Sequence, residues 1–135
     1  MVEPLITSVS PADVTATVAA VDMALRRRAI TVFATIDHAA GARAAGLALA
    51  DEVVIVFGNA AVGTPLMRRD PRIGIELPLR LLVWDDAGAT RIGYLDPVRM
   101  AGPYATDGVT ETLERMRGIL AAVVTEAVAA LTATP

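Results

Sequence analysis

The hydrophobic positions of the chain change period several times, and each change marks an element. Residues Glu3 to Val9 alternate loosely through Leu5, Ile6, Thr7 and Val9, which predicts a first strand. Ser10, Pro11 and Asp13 then make a helix start, with Ser10 as N-cap and Pro11 at the first helical position. Val14, Val18, Val21 and Leu25 recur at helical spacing, so one apolar stripe faces a core and the helix ends near Arg28. Ile30 to Ile36 is short, apolar and β-branched, predicting a second strand that Asp37 stops. The Ala-rich run from Ala39 to Leu47 favours a short helix by propensity.

Val53 to Phe57 is a continuous apolar run between Glu52 and Gly58, the pattern of a strand covered on both faces. Ala60 to Arg69 reads as another short helix, and Pro71 to Gly74 as a turn. Leu77 to Trp84 and Thr90 to Leu95 flank the loop Asp85, Asp86, Ala87 and Gly88, which is a hairpin pattern. Asp96, Pro97, Gly102 and Pro103 punctuate a loop. Val109, Leu113, Met116, Leu120, Val123, Val124 and Val128 then give a long closing helix over about residues 107 to 132. No repeat or linker interrupts the pattern, so residues 1 to 135 are expected to form a single domain.

Composition narrows the chemistry. The chain holds no Cys, Lys or Gln, and His38, Asn59 and Trp84 are each alone of their kind. Without Cys there is neither a disulfide framework nor a cysteine metal site, and a cytoplasmic location is expected. Glu3 and Pro4 do not resemble a signal peptide, and no apolar stretch approaches the ~20 residues a membrane span needs. A net charge of −3 gives no footprint for nucleic acid. Arg26 to Arg28, and Arg68, Arg69 and Arg72, could contact an anion or RNA, but both groups sit at predicted helix ends, where cations complement the dipole.

The strands ending at Ile36 and Phe57 are joined by a segment long enough, at roughly a dozen residues, for a parallel crossover. As parallel neighbours they would bring Asp37, His38 and Asn59 to one sheet edge, where ligands sit in open sheets. Two helix starts meeting there would present amides and positive dipole ends to an anion. Asp37 and Asn59 also stand where N-caps are favoured, a purely structural duty for both residues. Serine hydrolysis fails for want of a nucleophile motif around Ser8 or Ser10, and one His without paired ligands makes no specific metal site.

Three blocks, TVFATIDHAAGARAAGL from Thr31, IVFGNAAVGTPLM from Ile55 and LPLRLLVW from Leu77, resemble the domain-of-unknown-function family 302 over about Ser8 to Tyr104. The resemblance implies an α+β domain of the TATA-binding-protein-like fold group, ordered β-α-β(4)-α, with short helices between the middle strands and one sheet packed on the first and last helices. It also implies a homodimer. The family's characteristic residues fall on Phe33, Ile36, Asp37, His38, Phe57, Gly58, Asn59, Gly63, Thr64, Pro65, Met67, Leu77, Pro78, Leu79 and Tyr94. Ala60 departs from the family's usual Pro, Ala50 and Asp51 from its Arg-Pro pair, and Arg80 from its Lys.

The family supplies no established activity. The leading expectation is a non-catalytic domain that binds or senses a small ligand, an anion among the options. Its pocket is lined by Asp37, His38, Asn59, Gly63, Thr64 and Arg80, with no cofactor and no metal. One alternative is an enzyme with His38 as general acid or base on a small anionic substrate. Another is a plain protein interaction module.

Overall fold

The computed structural model describes residues 3–133. The elements are β1 (Ile6–Ser10), α1 (Val14–Arg27), β2 (Thr31–Asp37), α2 (His38–Ala44), β3 (Glu52–Gly58), α3 (Ala60–Arg69), a 3-10 turn (Pro71–Glu76), β4 (Leu79–Asp86), β5 (Ala89–Tyr94), α4 (Pro97–Met100) and α5 (Thr110–Thr132). Five strands form one sheet in the order β1-β5-β4-β3-β2, antiparallel throughout. The expected β-α-β(4)-α arrangement is the observed one, with α2 and α3 between the middle strands.

The sequence period explains the layering. In β3, Val53, Ile55 and Phe57 are buried. Through the register they stand opposite Val83, Leu81 and Leu79 of β4. These side chains meet Val21 and Leu25 of α1 and Leu120 and Val123 of α5 in the main core. Each such residue contributes about 1.5–3 kcal/mol by leaving water. A second cluster of Leu66, Ile73, Ala101, Leu113 and Met116 lies under α3 and the first half of α5. The β4–β5 hairpin closes through Ala87 and Gly88, both at positive φ (51° and 95°), the backbone of a tight two-residue turn.

Two expectations are corrected. The first helix is capped by Asp13, whose Oδ1 accepts from the Ala16 amide at 2.8 Å, and not by Ser10. Ser10 pairs with Thr90 as the last residue of β1, and its hydroxyl bonds the buried Thr17 hydroxyl at 2.6 Å and accepts from the Ala12 amide at 3.3 Å. The helix therefore begins beyond Pro11.

More consequentially, β2 and β3 are neighbours but antiparallel: Thr31 pairs with Gly58 and Asp37 with Val53. The physical reason lies in the connection through α2. The seven residues of α2 rise only about 10 Å against the roughly 23 Å of β2, so the helix alone does not span the strand, and residues 45–51 turn the chain back at the end of β2 to enter β3 beside Asp37. Asp37 and His38 therefore lie at one end of the sheet and Asn59 at the other, about 20 Å away along β3. The register of β2 also shifts between Val32 and Ala34, a bulge that takes Phe33 out of the ladder.

Candidate functional site

The two expected N-caps are both in place. Asp37 Oδ1 accepts from the Ala40 amide at 2.8 Å, and Asn59 Oδ1 accepts from the Ala61 amide at 2.9 Å. Each satisfies a donor that a helix start leaves unpaired. The six residues expected to share a pocket divide between two places. Asn59 and Gly63 line one cavity. His38 and Arg80 line a second hollow of about 420 Å³, among Ile36, Val54, Val56 and Leu82. Asp37 and Thr64 line neither.

The cavity holding Asn59 measures about 310 Å³ and opens where β3 stops and β4 starts. Its walls come from five segments beside the end of β3. Phe33 arrives through the β2 bulge and stays 57% exposed, its ring lying over Gly58, where an added Cβ would meet Phe33 Cε2 at 3.4 Å. One turn of α3 supplies Val62, Gly63 and Met67. The 3-10 turn supplies Gly74, against whose bare Cα the Met67 thioether packs; a Cβ there would stand 3.5 Å from Met67 Sδ. Leu77, Pro78 and Leu79, joined through a cis Leu77–Pro78 bond, and Met116 of α5 complete it.

Apart from the two thioethers, Asn59 is the one lining side chain that carries polar atoms. Its oxygen is engaged by the cap, which leaves the Nδ2 amide as a donor.

A polar frame holds the walls in place. Asp70, 5% exposed, accepts from the Arg72 amide, from Arg72 Nε and Nη2 at 3.0 and 2.8 Å, and from the Ala105 amide at 3.0 Å. The guanidinium of Arg72 first, then the Ala105 amide, hold the Asp70 carboxyl well below the usual carboxylate range. Tyr104 donates to Glu76 Oε2 at 2.8 Å, and this bond pushes its phenol up. On the neighbouring corner Asp96 caps α4 and takes a two-pronged contact from Arg117, at 3.0 and 2.8 Å, which lowers its carboxyl too. These bonds rigidify the segments around the 3-10 turn and α5 on which the cavity is built. No group of three or more potential metal ligands occurs among the described residues.

The DUF302 profile, domain of unknown function DUF302, matches residues 6–123. The chain belongs to the DUF302 family. A crystal structure of an uncharacterized conserved DUF302 protein from Bacillus stearothermophilus superposes with a TM-score of 0.85 over 93% of this chain and 99% of that one, at 18% identity. That likeness is one of fold. The match to the DUF302 profile runs beyond Tyr104 into α5, further than the three sequence blocks reach.

The chain is also 38% identical over 98 residues to a fluoride-specific ion channel, FluC 1, of Brucella suis biovar 1 (strain 1330), covering 72% of this chain and 39% of that protein. A FluC 1 of Brucella abortus biovar 1 (strain 9-941) matches at the same identity over 36% of its length. The chain thus spans well under half of the curated relatives it matches.

The DUF302 residues cluster in space. Of the twelve residues lining the cavity, eight are positions that carry the family resemblance: Phe33, Gly58, Asn59, Gly63, Met67, Leu77, Pro78 and Leu79. Only Asn59 and Gly63 of the twelve belong to the pocket expected from the sequence, and Ala60, Val62, Gly74 and Met116 were not singled out by the resemblance either. Met116 reads as an ordinary member of the α5 stripe, and Gly74 as a turn residue. The one available signal was Phe33, a large aromatic in a strand otherwise made of small and β-branched residues.

Proposed function

We propose that this DUF302 chain is a non-catalytic binding or sensory domain that takes a small amphiphile in the Asn59 cavity. The apolar body lies against Phe33, Val62, Met67 and Leu77, and a hydrogen-bond-accepting or anionic head meets Asn59 Nδ2 beside the start of α3. The observation that carries this reading is the concentration of eight family-characteristic residues around one apolar hollow with a single polar side chain. Its volume of about 310 Å³ lies at the lower end of ligand pockets. The positive end of the ten-residue α3 favours an acceptor or anion over a cation.

Fluoride conduction is not carried over from the Brucella proteins, of whose length this chain spans well under half; no described helix of this chain is long and apolar enough to cross a membrane. Two copies of the chain form a homodimer in this reading. It is favoured by the exposure of Val9, Ile36 and Leu95, since exposed apolar side chains gathered on one surface mark an interaction site.

Octanoate and octylammonium, which share a tail and differ in head, test the site by titration calorimetry. Octanoate binds the native chain and octylammonium binds more weakly. Gly63→Leu, whose side chain grows toward Leu77, abolishes octanoate binding while the circular dichroism spectrum stays native. Absence of octanoate binding, or its survival in Gly63→Leu, sinks the proposal.

A further inference from the structure

The face of the sheet turned away from α1 and α5 has an order that the core does not explain. The registers arrange its residues in three rows across the strands. Val9, Arg91, Trp84 and Glu52 form the first row. Thr7, Gly93, Leu82, Val54 and Ile36 form the second. Arg80, Val56 and Ala34 form the third. The middle row is apolar but for the Thr7 hydroxyl. Val9 is 56% and Ile36 45% exposed, Leu82 and Val54 are half-buried, and Leu5 lies against Gly93, so water reaches the ends of a surface built like a core.

The charges on this face are distributed unevenly. Arg91 is satisfied by Asp86 at 2.7 Å. Arg80 and Glu52 have no ion pair among the described residues. They stand on adjacent strands at opposite ends of the face: Glu52 is paired with Trp84, Arg80 with Val56. A two-fold axis lying in the plane of contact, across the strands and along the middle row, exchanges the outer rows. Arg80 of one copy then faces Trp84 of the other, with Glu52 of the other copy on the adjacent strand about 4.8 Å away. The same contact recurs by symmetry, as an isologous interface requires.

We infer that this open sheet face is the contact between two copies of the chain, with the middle rows stacked and two reciprocal Arg80–Glu52 pairs fixing the orientation. The inference rests on the homodimer proposed above and names its surface. Five strands at about 4.8 Å and three rows at about 6.7 Å give roughly 480 Å² of flat area per copy. The relief of the side chains raises the accessible area toward the ~800 Å² per partner of a standard interface. Facing sheets pack about 10 Å apart, which leaves room for one interdigitated layer built from Leu82, Val54 and Ile36. Arg80, which a ligand reading would send to an anion, has its counter-charge in the second copy. Its guanidinium stacks on the Trp84 ring, where Lys would lose the planar contact.

Sedimentation equilibrium of the full chain tests this. The native protein is a dimer, and Leu82→Arg, which places a charge in the middle row, is a folded monomer with native circular dichroism. Arg80→Glu and Glu52→Arg each weaken the dimer at least about tenfold, because each creates a like-charge contact across the interface. The double variant Arg80→Glu with Glu52→Arg recovers most of that loss. A monomeric native chain overturns the homodimer itself. A native dimer that Leu82→Arg leaves intact, or charge variants without rescue, overturns this surface while leaving a homodimer through another one.

Discussion

Asn59 holds two duties at once, and they can be separated by changing one atom group at a time. Its Oδ1 caps α3 through the Ala61 amide at 2.9 Å, while its Nδ2 is the donor assigned to the ligand head. In Asn59→Ala both are lost. The missing cap costs about 1 kcal/mol, which for a chain of this length lowers Tm by roughly 3–5 °C. Octanoate affinity falls at least about tenfold with the loss of a hydrogen bond to a charged group.

Asn59→Asp keeps the accepting oxygen at the same place and puts a negative charge at the start of a helix, worth about 0.3–1 kcal/mol in the stabilising direction. Its Tm therefore equals or exceeds that of the native chain. Having no donor and a like charge beside the carboxylate, it binds octanoate more weakly than Asn59→Ala does. Differential scanning calorimetry and titration calorimetry on the three proteins read both duties. Native-like octanoate binding by Asn59→Asp refutes the assignment of Nδ2, and an unchanged Tm in Asn59→Ala refutes the cap.

Three further outcomes follow from the packing and the charges. Asp70 and Asp96 both titrate below the ordinary carboxylate value in the folded chain, so their contribution is complete above about pH 4 and is lost as pH falls through the lowered values. Tm should hold from pH 7 to 5 and drop steeply below about 4, and a flat Tm down to pH 3 would count against the two clasps. Gly93→Val should cost about 1–3 kcal/mol, since a Cβ there comes within 3.0 Å of the Trp84 ring and 3.1 Å of Leu5 Cδ1. Trp84 is the only tryptophan, so its emission should shift with the displacement; unchanged emission contradicts the contact. Phe57→Ala, at a position 1% exposed, should cost about 3–5 kcal/mol in urea unfolding, and a loss under about 1 kcal/mol would mean the cavity end of the core can collapse.

Local pattern made most elements readable. The apolar run of β3, the two-residue turn at Ala87 and Gly88, and the stripe of α5 each depend on neighbours a few positions apart, although β3 buries one face only, where its run suggested cover on both. The relation between β2 and β3 was not readable in that way, because a linker of a dozen residues admits either direction and its local pattern does not say at which end of β2 it turns. That single choice moved Asn59 away from His38. The cavity was legible only as a set of family-characteristic residues. Its walls come from β2, α3, the 3-10 turn and α5, and no periodicity links Phe33 to Met116. The caps at Asp37 and Asn59 were readable because capping is a local bond between residues two or three apart.

The bulge in β2 matters beyond the cavity it serves. This outermost strand reads TVFATID, with no proline and no charge before Asp37 at its end, the kind of strand onto which a stray chain can add by hydrogen bonding. The register shift between Val32 and Ala34 breaks the regular row of free amides and carbonyls midway, since a bulge bends the strand and leaves one residue unpaired. An incoming strand finds only short stretches in register, with the Phe33 ring out of the ladder between them. The same irregularity that lends an aromatic wall to the hollow thus protects the chain from growing, strand upon strand, into an aggregate.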